Sequence, residues 1–203
     1  MINPIFEKIA EQILSQSIAI KDDVLDSCVL DALAQEALTE YSQGEFKDAK
    51  IGKGIAMQRI SEVRGDKVFW LNKVDASARL KTYWNWVEGL QDYLSEYFRI
   101  YLERTELHFA VYPIGAFYSP HVDQFRDQGN RVFSLILYLN KDWKPADGGQ
   151  LRVYNDDGTF YDIQPIHGRV VCFRSDQILH KVLEANKPRI SLTGWMRRDA
   201  FTL

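Results

Sequence analysis

The chain has 203 residues, of which 26% are charged, with a formal net charge of −3. That length suffices for one well-buried core, and so small a charge gives no general pull toward nucleic acid or an anionic membrane, so neither is expected as a partner. Glu7, Lys8 and Glu11 interrupt the apolar N-terminus and no run of eighteen apolar residues follows, which argues against a leader or a membrane span and for a cytoplasmic protein.

Asn3 as N-cap, Pro4 at the first helical position, and Ile5, Ile9, Ile13 and Leu14 at helical spacing predict a short opening helix. The segment 17–25 alternates briefly. It then gives way to a helical stretch through Leu30, Leu33, Ala34, Ala37, Leu38 and Tyr41, which Gly44 ends. Arg64-Gly65-Asp66 followed by KVFWL reads as a tight turn entering a strand. The clearest helix spans about 78–102, where Leu80, Tyr83, Trp84, Val87, Leu90, Leu94, Tyr97, Phe98 and Tyr101 recur at three- and four-residue steps. Such an aromatic stripe is expected to pack along the outside of a sheet.

From Glu106 onward the period becomes two, with short strands around 107–112, 117–122, 132–139, 150–154, 160–164, 169–173, 179–184 and 189–196, separated by Gly, Pro, Asn and Asp. Eight such strands predict a jelly roll or barrel. Helices first and strands afterwards, without βαβ alternation, argue against a Rossmann or TIM architecture. The expectation is an α+β protein forming one catalytic domain over 1–203, helical to about 104, with a jelly-roll core over about 105–197. Cys28 and Cys172 are too few and too far apart for a disulfide framework or a thiolate metal site.

His121 and Asp123 stand two apart in a stretch that reads as a strand. Residues i and i+2 of a strand share a face roughly 6.5–7 Å apart, which lets an imidazole and a carboxylate converge on one ion. His180 opens a later strand and supplies a second imidazole. Two imidazoles and one carboxylate are the set that holds Fe(II) on one face and leaves the opposite positions open. Of the other two imidazoles, His108 has no carboxylate at i±2 and His167 lies in a Pro165-Ile166-His167-Gly168 turn, so neither is expected to be a ligand.

Arg189 begins a run in which Arg189, Ser191, Thr193 and Trp195 share a face. A guanidinium on the inner face of a core strand needs an anion, because burying it unpaired is costly. A neighbouring Asp or Glu would serve, and so would a bound dicarboxylate, for which the Ser191 hydroxyl is well placed. Tyr112 and Tyr138 sit on flanking strands, where a phenol can hydrogen-bond a co-substrate or be an ordinary core tyrosine.

Four stretches narrow the reading: RGDKVFWL at 64–71, AVYPIGAFYSPHVD at 110–123, RVFSLILYLNKDW at 131–143 with GGQLRVY at 148–154, and the interval from His180 to Arg189 that ends in SLTGW at 191–195. Across roughly residues 60 to 197 the chain resembles the 2-oxoglutarate and Fe(II)-dependent dioxygenases, and within them the prolyl 4-hydroxylases of the type that modify hypoxia-inducible factor and their bacterial relatives. The resemblance implies a double-stranded β-helix (jelly roll, cupin-like) with supporting N-terminal helices. It makes His121, Asp123 and His180 the iron ligands, and has Arg189 and Tyr138 hold the distal carboxylate of 2-oxoglutarate while Tyr112, Ser191 and Leu151 line the site. Arg64 and Asp66 would lie in a loop that folds over the substrate peptide, with Trp70 and Arg131 near that cleft. Fe(II), 2-oxoglutarate and O2 are the implied cofactors, with ascorbate as an accessory reductant. The implied reaction hydroxylates a prolyl residue and releases succinate and CO2, and a translation factor such as elongation factor Tu is an implied partner. Two features depart from the family pattern: the chain ends soon after its last strand, and QFRDQGN at 124–130 replaces an Asn-Pro-Asn-Gly form.

Three other readings stay open from the residues. A hydroxylase of a free amino acid or other small molecule would keep the metal set without needing the RGDK turn. A hydroxylase of a non-prolyl protein residue would keep both, and product analysis separates it. A non-catalytic cupin-like binding module would tolerate loss of Asp123 or Arg189.

Overall fold

The computed structural model describes residues 3–49, 63–124 and 129–198. Three α-helices, a short 3-10 helix (Pro145–Asp147) and eleven strands lie among them. Helix α1 (Pro4–Gln16) starts as expected, with the Asn3 side chain accepting from the Ile5 amide. Strand β1 (Ile18–Lys21) and helix α2 (Ser27–Ser42) follow, then β2 (Lys47–Asp48) and β3 (Lys67–Trp70). Helix α3 (Ala78–Phe98) is capped by Ser77, whose hydroxyl accepts from the Leu80 amide, a contact that stabilises a helix start by about 1 kcal/mol. Arg99 in the left-handed region ends α3 short of the expected 102. Tyr101 therefore falls outside the helix and is exposed.

The remaining strands are β4 (Arg104–Tyr112), β5 (Tyr118–His121), β6 (Arg131–Tyr138), β7 (Leu151–Tyr154), β8 (Phe160–Ile163), β9 (Val170–Arg174), β10 (His180–Val182) and β11 (Arg189–Arg197). They pair antiparallel into a major sheet, ordered β1-β9-β6-β11-β4-β3-β2, and a minor sheet, ordered β5-β10-β7-β8. Two facing antiparallel sheets with helices on the outside are the double-stranded β-helix expected from the resemblance. Three strands from the first seventy residues extend both ends of the major sheet.

The central strands of the major sheet divide their side chains between two cores, as period-two alternation requires. Leu107, Phe109, Val111, Leu135 and Leu137 join the helices, where Leu80, Tyr83, Val87, Leu90 and Leu94 of α3 are buried against them. Ala110, Tyr112, Ile136 and Tyr138 face the minor sheet with Leu151, Val153 and Val182. The helices thus close one face of the major sheet and leave the other to bound the cavity. No helix of the described residues is long and apolar enough to cross a membrane.

Candidate active site

A cavity of about 410 Å³ opens between the sheets. His121 ends β5, and His180 begins β10 as its direct partner across the ladder, with imidazole centroids 4.3 Å apart. Asp123 is differently placed from expectation. Strand β5 stops at His121, so Asp123 lies in the bend beyond it rather than on the same strand. It still reaches the imidazoles, with Oδ1 3.4 Å from His121 Nε2. Each of the three offers a ligand atom within 4.8 Å of the others, the arrangement needed to hold one metal ion.

The chemistry of these donors fits such an ion. His121 Nδ1 lies 2.8 Å from the Ser119 carbonyl and His180 Nδ1 lies 3.0 Å from the Ile178 carbonyl. A carbonyl accepts only, so each Nδ1 carries the proton and each Nε2 is left with a lone pair for a cation. Burial favours the neutral form of His180, against the opposing pull of Asp123. For Asp123 burial alone would raise the pKa, but its contacts with His121, His180 and the Ser134 hydroxyl hold it well below the usual carboxylate range. The set therefore offers one carboxylate and the Nε2 atoms of two imidazoles as donors.

Across the cavity, Arg189 begins β11 opposite Tyr112 and is only 2% exposed. Its guanidinium lies 4.8 Å from the Tyr112 ring centroid and 4.9 Å from that of Tyr138. The structure pairs it with no Asp or Glu of the described residues, and its Nε, like the Tyr138 hydroxyl, has no hydrogen-bond partner among them. Burial raises the pKa of both Tyr112 and Tyr138, so both phenols keep their protons as donors. A buried cation and donor without an acceptor fit a small dicarboxylate, and Ser191 and Leu151 line the same space.

Asn140 of YLNKDW donates to the carbonyls of Pro165 and Ile190 and accepts from the Ile190 amide, pinning the start of β11 beside Arg189. Gly148 and Gly149 both adopt positive φ, +71° and +65°. A Cβ on Gly149 would stand 2.9 Å from Arg189 Cδ, and one on Gly148 would run into the Glu184 carbonyl. Only glycine lets this turn back the arginine so closely.

On the open side, Arg64 forms a two-bond pair with Asp66, at 2.7 and 2.6 Å, and lies over the Tyr118 ring at 4.2 Å. Trp70, His108 and Trp195 cluster, with Trp70 53% exposed and Arg131 stacked on Trp195 at 3.5 Å. All seven of these residues line the cavity. His167 stands apart, paired with Asp31 of α2. The segment 125–128, within the stretch that departs from the family pattern, is outside the described residues. The sequence does not single out Ser134, Ser175 or Tyr118; of these only Tyr118 carries a signal, as an aromatic residue three before His121.

Residues 107–197 match the 2OG-Fe(II) oxygenase superfamily. The structure is similar to a prolyl-4-hydroxylase from Pseudomonas putida, with 34% identity over 96% of this chain and 100% of that one and a TM-score of 0.87. The chain belongs to the 2OG-Fe(II) oxygenase superfamily. Members of this superfamily use Fe(II), 2-oxoglutarate and O2, and the oxygenase described here is a dioxygenase of that type. Two further structures share its fold. One is a prolyl hydroxylase from Trichoplax adhaerens in complex with a peptide of hypoxia inducible factor, at 24% identity over 97% of this chain and 90% of that one, TM-score 0.86. The other is a collagen prolyl hydroxylase of Paramecium Bursaria Chlorella virus-1 in complex with 2OG, at 16% identity over 90% of this chain and 96% of that one, TM-score 0.64.

Proposed function

We propose that the oxygenase hydroxylates a prolyl residue in a protein substrate, through one domain formed by the whole chain. The observation that carries this is the full-length similarity to the Pseudomonas putida prolyl-4-hydroxylase, joined to a cavity with the His121, Asp123 and His180 cluster on one side and Arg189 on the other.

In this reading His121, Asp123 and His180 hold Fe(II). Arg189 and Tyr138 receive the distal carboxylate of 2-oxoglutarate, and Tyr112, Ser191 and Leu151 shape its pocket. Bound iron, 2-oxoglutarate and O2 supply the oxidising chemistry, which yields succinate and CO2 and places one oxygen atom on the substrate carbon. Arg189 would hold the distal carboxylate of the co-substrate by charge and by a planar fork of donors. The Tyr112 and Tyr138 phenols donate without giving up their protons. Ile136, Leu151 and Val182 exclude water from the same volume. Arg64, Asp66, Trp70 and Arg131 form the mouth against which the substrate peptide lies.

A translation factor such as elongation factor Tu is the first candidate substrate, on the strength of the bacterial resemblance. We place the reaction in the cytoplasm, where Cys28 and Cys172 remain free thiols, with ascorbate as the accessory reductant.

The test is succinate formation by the reconstituted protein with Fe(II) and 2-oxoglutarate. A proline-containing peptide should stimulate it, and Asp123→Ala should abolish it. Equal turnover by that variant would remove the proposed ligand set. Stimulation by free amino acids but not by peptide would move the substrate to a small molecule.

A further inference from the structure

The Asp123 carboxylate is not held by the strand that carries His121, and what holds it comes from the major sheet. Ser134 of β6 donates from Oγ to Asp123 Oδ2 at 2.6 Å. Ser134 Oγ is in turn 2.8 Å from the Oγ of Ser175, the residue after β9. Both serines are fully buried. An ionised carboxylate has no proton to give, so the single Ser134 hydroxyl proton is committed to Asp123. Ser175 must therefore donate to Ser134, and the bonds run one way, from Ser175 through Ser134 to Asp123.

The main chain is tied to the same two strand ends. Arg131, at the start of β6, donates from Nη1 to the Asp123 carbonyl at 3.1 Å. The Gln124 side chain donates to the Arg131 carbonyl at 2.9 Å, and the Gln124 amide donates to the Ser175 carbonyl at 2.9 Å. The two carboxylate oxygens thus face different partners. Oδ2 is engaged by Ser134, while Oδ1 faces the His121 Nε2.

We propose that Ser134 and Ser175 are positioning residues that occupy Asp123 Oδ2, so that the carboxylate presents Oδ1 alone to the metal and the positions needed by 2-oxoglutarate and O2 stay open. This rests on reading His121, Asp123 and His180 as the metal ligands. Two buried hydroxyls that served only each other would be replaceable together by apolar groups at little cost. Here the pair ends on a ligand atom, where outer partners set affinity and orientation.

Metal affinity of the unloaded protein, read by Mn(II) titration with electron paramagnetic resonance of the free ion, tests the assignment independently of turnover. Ser134→Ala is expected to weaken Mn(II) binding roughly 10- to 100-fold, and Ser134→Thr, which keeps the hydroxyl, to restore most of it. Ser175→Ala should weaken binding less, and should add nothing in the Ser134→Ala background, because it acts only through Ser134. Wild-type affinity in Ser134→Ala, failure of Ser134→Thr to recover with its fold intact, or additive losses in the double variant would each overturn the proposal. If the unaltered protein binds no Mn(II), the metal-site reading itself fails and the positioning role with it.

Discussion

Tyr118 lies flat on His121, with ring centroids 3.6 Å apart and planes 20° from parallel. The other face of the phenol takes the Arg64 guanidinium, 4.2 Å from its centroid. One aromatic ring therefore joins the Arg64–Asp66 turn at the cavity mouth to a metal-facing imidazole, and holds that imidazole in one orientation. Tyr118→Ala is expected to weaken Mn(II) binding by roughly tenfold, the lower end of what loss of an orienting partner costs. Tyr118→Phe should stay near wild type, because the hydroxyl makes only a long contact to Arg64 Nη1, 3.4 Å. Equal losses in the two variants would place the effect on the hydroxyl instead of the stacked ring.

Arg189 is the only charge that the strand run Arg189, Ser191, Thr193 and Trp195 brings to the cavity. Arg189→Lys preserves the charge but loses the planar fork, and is expected to raise the KM for 2-oxoglutarate by on the order of 100-fold, about 3 kcal/mol for a carboxylate left poorly paired in a dry site. Mn(II) affinity should hold. Gly149→Ala should move the same constant in the same direction through a crowded Arg189 Cδ. Steady-state kinetics at varied 2-oxoglutarate checks both, and an unchanged KM in Arg189→Lys would detach this residue from the co-substrate.

His108 gives a pH signature. It is buried between Trp70 and Trp195, and burial pushes its pKa down to about 3, aided by the Arg64 and Arg131 charges and opposed by Asp123. In the unfolded chain a histidine titrates near 6.5. Between those values the unfolded chain binds a proton that the folded protein does not, so this group lowers stability as pH falls from about 6.5 toward 3, by up to about 1.4 kcal/mol per unit. Above that window it contributes no slope. Urea unfolding at a series of pH values should show a shallower acid slope for His108→Gln than for wild type. Parallel slopes would mean that His108 takes up its proton in place.

The elements that the sequence makes plain are those set by local periodicity. The opening helix and its Asn3 cap, the aromatic stripe of α3 and the eight strands after Glu106 all recur in the structure within a few residues. Where expectation and structure part, a tertiary contact decides. Strands β1 and β3 add to opposite ends of the major sheet, a placement to which four residues of alternation say nothing. The i and i+2 spacing places Asp123 on the strand of His121; the structure reaches the same cluster with a bend, held by Ser134 and Arg131 from another sheet. Those contacts join residues eight and eleven apart in sequence with no shared pattern, and Ser175 is forty-one from Ser134. Arg189 is legible for a different reason: a guanidinium in a core strand is a conflict that needs an anion, from a neighbouring carboxylate or from a bound one.

Prolyl hydroxylation of a protein is read most directly by mass spectrometry of a host proteome incubated with the reconstituted oxygenase, Fe(II) and 2-oxoglutarate. The expected product is a prolyl residue one oxygen atom heavier, absent without 2-oxoglutarate and absent with His180→Ala. A co-substrate-dependent oxygen on a residue other than proline, or succinate formation with no protein modified, would contradict it.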